Sequence, residues 1–432
     1  MHNIRKVLAY EILDSRGNPT IECKVSLSGG ACAKASVPSG ASTGTHEAFE
    51  LRDNDSSRYL GKGVLNAIRN INNIIAGGVV GIDATDQLKL DQAMLQLDNT
   101  SNLENLGANS ILAVSSAAAR AAADSLHVPL YEYLSSSKSS YSMPVPFMNI
   151  LNGGSHADNN IDIQEFMIVP VRFPNFKRAI QAGAEIYQAL GAILKEHKLN
   201  TNVGDEGGYA PNLSSTSEAL DYVMQAIVRA GYKPGTDVYI ALDVAASEFY
   251  SKNTYNIGIN NSSYSAEQWV GCLVELSAKY PIISIEDALA EDDFVGWKLL
   301  TEKLGSKLQL IGDDLFVTQI ARLKSGVKNN MANSILIKPN QVGSITGMLE
   351  TIALAKKSNY SFMISHRSGD TDDAFIADLA VASDACQIKT GAPCRGERVA
   401  KYNRLLEIEQ ELGVKAKYAA SHILAKYPEF VR

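Results

Sequence analysis

Short apolar segments that run directly into acidic or basic residues recur along the second half of the chain. The clearest is residues 281–285 (PIISI), which leads into Glu286. The same pattern ends at Asp243, Asp313, Lys338, His366 and Lys389. From Glu286 onward the ends are 27, 25, 28 and 23 residues apart, taken as differences between residue numbers. Each interval has room for a strand, a helix and two loops, the repeat of a β/α barrel of roughly 250 residues. The pattern predicts an α/β fold built on a TIM-type barrel.

Acidic residues at three of these strand ends predict a metal site. If the strands are parallel, their ends meet on one face and gather Asp243, Glu286 and Asp313. Repulsion makes such a cluster costly unless a cation neutralises it, and all-oxygen ligation favours Mg²⁺. A single acid at a strand end is as well explained by helix capping, and a single lysine by a solvated charge. The prediction therefore depends on the ordered set.

The first barrel strands are predicted to differ from the later repeat. The apolar runs at residues 145–151 and 161–170 are too close for an intervening helix, so they should pair as an antiparallel hairpin. A glycine-rich segment, residues 202–211, surrounds Glu206 and lets the backbone bring it close to a ligand.

The N-terminal third predicts a separate domain. Residues 19–37 alternate as a hairpin, and helical patterns follow at 64–76, 85–97 and 109–126. A serine-rich connection around residues 134–140 separates this part from the barrel. We expect an α+β capping domain over residues 1–138, and a catalytic barrel with a C-terminal helical tail over residues 139–432.

The small-residue loop at residues 38–46 lies between the hairpin and the first helix. Its composition suits a plain linker, and it equally suits a mobile lid that closes over a polar substrate and excludes water.

Composition excludes several classes of partner. The net charge is −7 with no basic block, which argues against direct nucleic-acid binding. No stretch reaches about 18 uncharged apolar residues, so we expect no membrane span. The start of the chain has no signal-peptide core, and the five cysteines are scattered, which favours a reduced, cytoplasmic protein.

Six runs in this order resemble the enolase family, whose members interconvert 2-phosphoglycerate and phosphoenolpyruvate. They are residues 14–20 (DSRGNPT), 39–44 (SGASTG), 152–157 (NGGSHA), 204–208 (GDEGG), 337–341 (IKPNQ) and 365–369 (SHRSG). The resemblance is collinear from about residue 4 to about residue 412. It implies a barrel with an irregular ββαα start and a glycolytic hydro-lyase, phosphopyruvate hydratase.

The resemblance also implies the cofactor and its ligands. Asp243, Glu286 and Asp313 would bind a first Mg²⁺, and Ser42 in the lid would ligate a second Mg²⁺ that arrives with substrate. Two ions per active site are therefore expected.

The resemblance implies roles for the remaining site residues. Lys338 would remove the C2 proton, and Glu206 would help hydroxide leave C3, assisted by Glu165. For these roles we expect a lowered pKa at Lys338 and, through repulsion by Glu165 and Asp205, a raised pKa at Glu206. The other residues implied to line the site or contact the substrate are His156, Gln164, His366, Arg367, Ser368 and Lys389.

The resemblance further implies a homo-oligomer, either a dimer or an octamer. The alternative to catalysis is a binding role of the same fold, at the cell surface, as a protein secreted without a signal peptide, or in an RNA-decay complex. The sequence departs from the family at Ala288, where proline is usual, at Phe294, where tryptophan is usual, and at residues 370–372 (DTD), where Glu-Thr-Glu is usual.

Overall fold

The N-terminal part of the chain forms a small α+β domain in a computed structural model, which describes residues 1–40, 44–135 and 139–427. Strands β1 (Ile4–Leu13), β2 (Pro19–Leu27) and β3 (Cys32–Ser36) form an antiparallel sheet in the order β1-β2-β3. The helices that follow are α1 (Leu65–Arg69), α2 (Ala76–Val79), α3 (Gln87–Asp98), α4 (Ala108–Ser125) and α5 (Leu130–Tyr133). Asn70–Ile75 continues α1 into α2 through π-helical turns. The predicted hairpin over residues 19–37 is confirmed.

Helix α4 organises the core of this domain. Its alanine-rich face lets the helix approach the sheet closely, and it packs on β2 and β3 against Ile21, Cys23 and Val25. All three side chains are fully buried.

The rest of the chain builds a closed barrel of eight strands. The strands that follow are β4 (Tyr141–Met143), β5 (Val145–Asn152), β6 (Glu165–Pro170), β7 (Val238–Asp243), β8 (Tyr250–Ser251), β9 (Thr254–Ile257), β10 (Ser262–Tyr264), β11 (Ile282–Glu286), β12 (Gln309–Gly312), β13 (Ser334–Ile337), β14 (Ser361–Ser365), β15 (Gln387–Lys389) and β16 (Ala416–Tyr418). The helices are α6 (Phe176–Glu196), α7 (Thr216–Arg229), α8 (Ala266–Lys279), α9 (Phe294–Leu304), α10 (Ile320–Asn329), α11 (Pro339–Val342), α12 (Ile345–Lys357), α13 (Phe375–Ala382), α14 (Gly396–Leu412) and α15 (Ala420–Lys426). Around the barrel the strand order is β11-β12-β13-β14-β15-β5-β6-β7.

The barrel starts irregularly, as predicted. Strand β6 is antiparallel to both β5 and β7, whereas the other neighbouring pairs in the barrel are parallel. Two helices, α6 and α7, then follow in succession, which gives the ββαα order. Because β6 runs backwards, its first residue lies at the mouth formed by the carboxyl ends of the other strands. Glu165 is accordingly in register with Asn152 at the end of β5 and Asp243 at the end of β7.

The C-terminal tail closes the opposite end of the barrel. Strand β16 pairs with β4, and Ile423 of α15 packs into the cluster of side chains that fills the barrel interior. The Tyr418 hydroxyl donates to the carbonyl of Pro170, at the far end of β6. The sequence pattern predicts a helical tail but indicates no role for it. The tail packs against the end of the closed barrel, so its role can be recognised only in the tertiary structure.

The N-terminal domain sits over the mouth of the barrel. The guanidinium of Arg120 on α4 forms a bidentate pair with Asp373, with both N–O distances 2.6 Å. The Asp373 carboxylate also accepts from the backbone N–H of Ser36. Ser39, at the start of the loop predicted as a lid, exchanges two backbone hydrogen bonds with Gly369. The predicted boundary at residue 138 falls outside the described residues and stays a prediction. No helix in the described ranges is long and apolar enough to cross a bilayer.

We expect Asp373→Asn to loosen the contact between the domains. Burial raises the pKa of Asp373, but the charge of Arg120 and the hydrogen bonds to the carboxylate lower it by more. The folded-state pKa therefore lies below the ordinary value. The pair therefore stabilises the protein above about pH 4, and that contribution is lost as the pH falls through the folded-state pKa. At pH 7 the substitution should lower the free energy of unfolding by about 2–4 kcal/mol.

Urea unfolding of both proteins across a pH series measures this difference, which should narrow in acid. The matched control is Glu196→Gln, which breaks a bidentate pair with Arg229 of the same 2.6 Å geometry on the exposed surface. The control should leave the unfolding midpoint unchanged. Equal effects of the two substitutions on the free energy of unfolding would contradict a stabilising role for the Arg120–Asp373 pair.

Candidate active site

One polar pocket at the mouth of the barrel gathers the predicted site residues. Those that line it are His156, Gln164, Glu165, Glu206, Asp243, Asp313, Lys338, His366, Arg367, Ser368 and Lys389. Glu286 lies beside the pocket and contacts Lys389, and Ser42 is outside the described residues. The strand ends meet here because the barrel is closed, which brings together residues far apart in sequence.

Lys389 lies at the centre of the buried carboxylates. Its Nζ is 2.8 Å from Asp243 Oδ2, 2.8 Å from Glu286 Oε1 and 3.0 Å from Glu165 Oε1. Burial lowers the pKa of Lys389, but the acids around it raise that pKa well above the ordinary value, so the side chain is a cation. A buried ammonium offsets the repulsion that these acids would otherwise feel.

A second ammonium neutralises the third predicted metal ligand. Lys338 forms an ion pair with Asp313 Oδ2, and Gln341 donates to Asp313 Oδ1 at 2.9 Å. Burial lowers the pKa of Lys338, but Asp313 outweighs it and the pKa is raised. The expected lowering is therefore wrong for this state, because Asp313 is in direct contact with the ammonium.

The oxygen donors of the pocket fit a hard divalent cation. Glu286 Oε2 and Glu165 Oε2 are buried and lack a hydrogen-bond partner among the described residues. Together with Asp243 and Asp313 they offer carboxylate oxygens only, which is the ligand type that Mg²⁺ prefers. Asp313 is turned toward Lys338. Among the described residues, two other groups have ligand atoms within 4.8 Å of one another: Asp287, Asp313 and Asp314, and His156, Glu165 and Glu206.

Asp287 has a structural explanation. Its two carboxylate oxygens accept the backbone N–H groups of Asp313 and Asp314, at 2.9 and 2.8 Å. The side chain therefore ties the turn after β11 to the turn after β12 and holds Asp313 at the mouth.

Glu206 belongs to a second buried cluster with two histidines. Its Oε1 lies 3.1 Å from His366 Nε2 and 3.7 Å from His156 Nδ1, and Asn149 donates to its Oε2 at 3.0 Å. The glycine-rich loop can place it there because a Cβ at Gly204 would lie 2.5 Å from the His156 carbonyl oxygen. The glycine thus allows the loop to lie close to the backbone of His156, whereas the sequence pattern predicted a close approach to a ligand.

Glu165 and Glu206 lie close together, but their pKa values are shifted in opposite directions. Burial and the neighbouring Glu206 raise the pKa of Glu165 well above the ordinary value. Burial also raises the pKa of Glu206, but His366, His156 and Arg398 lower it more, so the result is a lowered pKa. The expected raised pKa of Glu206 is therefore wrong here. The reason is that two histidines and Arg398, distant in sequence, surround it.

Arg367 is held by an acid from the N-terminal domain. Its Nη1 lies 2.8 Å from Glu47 Oε2, and the backbone N–H of Gly44 donates to Glu47 Oε1. Sequence reasoning missed Glu47, which follows the predicted lid directly, and Arg398 on α14. Arg398 lies in none of the six sequence runs that resemble the family. The position of Glu47 beside the lid was the available signal.

The departures from the family pattern leave the site intact. The Ala288 carbonyl accepts from Trp269 Nε1 at 2.9 Å, which anchors the turn after Glu286. Phe294 begins α9 and is partly exposed. Asp370 accepts from the backbone N–H of Arg367 at 3.2 Å, so the shorter acid still supports the loop.

Two protein-family models match the chain. One is described as "Enolase, N-terminal domain" and covers residues 4–134. The other is described as "Enolase, C-terminal TIM barrel domain" and covers residues 140–427. The matches agree with the barrel and with the separate N-terminal domain.

We expect Lys389→Met to destabilise the protein without divalent cations. The substitution leaves Asp243, Glu286 and Glu165 buried without their shared cation, which should lower the free energy of unfolding by about 3–5 kcal/mol at neutral pH. Chemical denaturation in a chelating buffer measures the loss. Lys34→Met, which breaks an exposed pair with Glu22, is the control and should have little effect. An unchanged midpoint for Lys389→Met would contradict a neutralising role.

Proposed function

This chain belongs to the enolase family, and we propose that it catalyses the reversible, Mg²⁺-dependent dehydration of 2-phosphoglycerate to phosphoenolpyruvate. The family supports an enolase-type hydro-lyase. The observation that carries the finer proposal is that Lys338, the candidate base, and Glu206, the candidate acid, line the same pocket as Asp243 and Asp313.

The reaction needs a site that can stabilise extra negative charge. Removing the C2 proton places a second charge on a carboxylate that is already ionised, and Mg²⁺ is the Lewis acid that stabilises such an ene-diolate in the enolase superfamily. We propose that Asp243, Glu286 and Asp313 hold the first ion. Ser42, outside the described residues, would contribute to a second.

Lys338 is proposed as the base. An ammonium cannot accept a proton, so Lys338 must lose the ion pair that raises its pKa. Asp313 is that partner, and engaging Asp313 as a metal ligand would release Lys338 from it. The same acid would thus serve the resting protein as a counter-ion and the active protein as a ligand.

Glu206 is proposed to give the leaving hydroxide its proton. Burial and the neighbouring Glu206 raise the pKa of Glu165 well above its ordinary value. Its Oε1 and that of Glu206 both lie 3.7 Å from His156 Nδ1, which is too long for a hydrogen bond but places the three side chains in one buried cluster. Glu165 would assist Glu206 from within that cluster.

The remaining residues are proposed to orient the substrate. Arg367 offers a planar fork for the phosphate, next to Ser368 on the same loop. Glu47 now occupies part of that fork, so phosphate would replace one anion with another. Those proposed to contact the rest of the substrate or to line the pocket are His156, Gln164, His366 and Lys389.

The assay for this proposal follows the ultraviolet absorbance of phosphoenolpyruvate formed from 2-phosphoglycerate. We expect a signal that disappears with a chelator and returns with added Mg²⁺. A protein that gives no Mg²⁺-dependent signal would favour a purely binding role of the fold.

Two substitutions separate the proposed base and acid. Lys338→Ala should abolish exchange of the C2 proton with solvent, because the substitution removes the proposed base. Glu206→Gln should keep part of that exchange and lose dehydration, because its amide cannot protonate the leaving group. Exchange that survives in Lys338→Ala, or both steps lost equally in Glu206→Gln, would reassign the roles.

Binding of Mg²⁺ should raise thermal stability, because a ligand of the native state stabilises it by mass action. At a hundredfold excess over Kd the gain is about 2.7 kcal/mol. Asp243→Asn and Glu286→Gln should reduce the rise in melting temperature, and Glu196→Gln should not. The same rise in all four proteins would place the ion elsewhere.

A further inference from the structure

Arg398, near the start of α14, is a fully buried arginine that contacts both loops of the proposed acid and phosphate sites. Its Nη1 lies 2.6 Å from His366 Nδ1 and 2.5 Å from the Arg367 carbonyl oxygen. Its Nη2 donates to the carbonyl oxygens of Ser368, at 2.5 Å, and Asp205, at 3.1 Å. One guanidinium therefore joins the loop before Glu206 to the loop that carries Arg367 and Ser368.

The contact with His366 determines where that ring carries its proton. A guanidinium has N–H donors only and is not deprotonated in proteins. His366 Nδ1 must therefore present its lone pair to Arg398, which leaves the single ring proton on Nε2. His366 is accordingly neutral, and its N–H is on the side of the ring that faces Glu206.

The proton on Nε2 matters because of what lies next to it. His366 Nε2 is 3.1 Å from Glu206 Oε1, within hydrogen-bond distance but not aligned as a formed hydrogen bond. The other oxygen of Glu206 already accepts from Asn149. A ring with the opposite tautomer would present a lone pair to this carboxylate and repel it.

We propose that Arg398 is a positioning residue: it fixes His366 as the Nε2–H tautomer facing Glu206 and fixes the distance between the acid loop and the phosphate loop. The reading of Glu206 as acid and Arg367 as phosphate ligand rests on the proposed function. The tautomer itself follows from the contact and holds whatever the substrate is.

A neighbouring residue on the same helix supports the loop from behind. Lys401, one turn after Arg398, is buried and pairs with Asp370 Oδ1 at 2.7 Å. The other oxygen of Asp370 accepts the backbone N–H of Arg367. Helix α14 thus directs two buried cations at one loop, whereas Arg404 on the same helix pairs with Asp378, Glu407 and Glu411 instead.

The first test is ¹⁵N NMR of histidine side chains in the metal-free protein without substrate. The seven histidines are resolved by ring-nitrogen couplings, and His366→Gln identifies the signal that disappears. We expect one protonated and one unprotonated nitrogen, with the proton on Nε2. An imidazolium or an Nδ1–H ring at His366 would overturn the proposal.

Substitution tests whether Arg398 is the cause. Arg398→Met should let His366 exchange between tautomers, and Arg398→Lys should keep the proton on Nε2, because an ammonium is also a donor only. The control, Arg404→Met, removes an arginine from the same helix and should leave the His366 signal unchanged. An unchanged signal in a folded Arg398→Met would overturn the proposal, and if that variant does not fold, a shifted tautomer in Arg398→Lys would do so.

Kinetics distinguish positioning from general destabilisation. At saturating 2-phosphoglycerate we expect Arg398→Met to slow dehydration about 100-fold, the scale of a small misplacement of a catalytic group. Exchange of the C2 proton should fall less than tenfold, because Lys338 has no contact with Arg398. Equal losses in both steps would overturn the positioning role. Inactive wild-type protein with the expected tautomer would instead reject the proposed function and leave the assignment of Arg398 to His366 intact.

Discussion

The neutralisation of buried carboxylates by lysine at one end of the barrel is the interaction on which the rest of the site depends. Asp243, Glu286 and Glu165 approach one another only because Lys389 lies between them. Asp313 is neutralised separately by Lys338. Ion pairs as buried as these need firm geometry, because a displaced partner would leave an unpaired charge in a dry interior. The closed barrel supplies that geometry, since Asp243, Glu286, Glu165 and Lys389 each stand on a strand, and Asp313 and Lys338 each directly follow one.

The reversed strand β6 gives the barrel an additional position at its mouth. In a regular repeat, a residue that begins a strand would lie at the far end. Here Glu165 begins β6 and meets Asp243 directly. The irregular start thus brings Glu165 and Gln164 into the pocket, and the C-terminal tail closes the end from which no chemistry is proposed.

The N-terminal domain and α14 complete the pocket from outside the barrel. Glu47 reaches Arg367 from one side, and Arg398 holds the loop of Arg367 from the other. The first contact joins residues 320 positions apart, and the second joins residues 31 positions apart. No local sequence pattern predicts these contacts. Glu47 follows a loop without periodicity, and the sequence of the helix that carries Arg398 does not distinguish this residue from the other charged residues of the helix. Motifs that record strand ends could not reveal them.

Sequence alone determined the barrel, its antiparallel start and the set of charged residues at its mouth, because strand periodicity and strand-end chemistry are local properties of the chain. The resemblance to a family supplied candidate roles, and the family itself is confirmed by the matches over residues 4–134 and 140–427. Only the tertiary structure decided the protonation of the site. Glu206 was expected to repel Glu165 and gain a raised pKa, yet His366 and His156 surround it and lower that pKa. Electrostatic energies depend on distances and on burial, and neither is fixed until the chain has closed on itself.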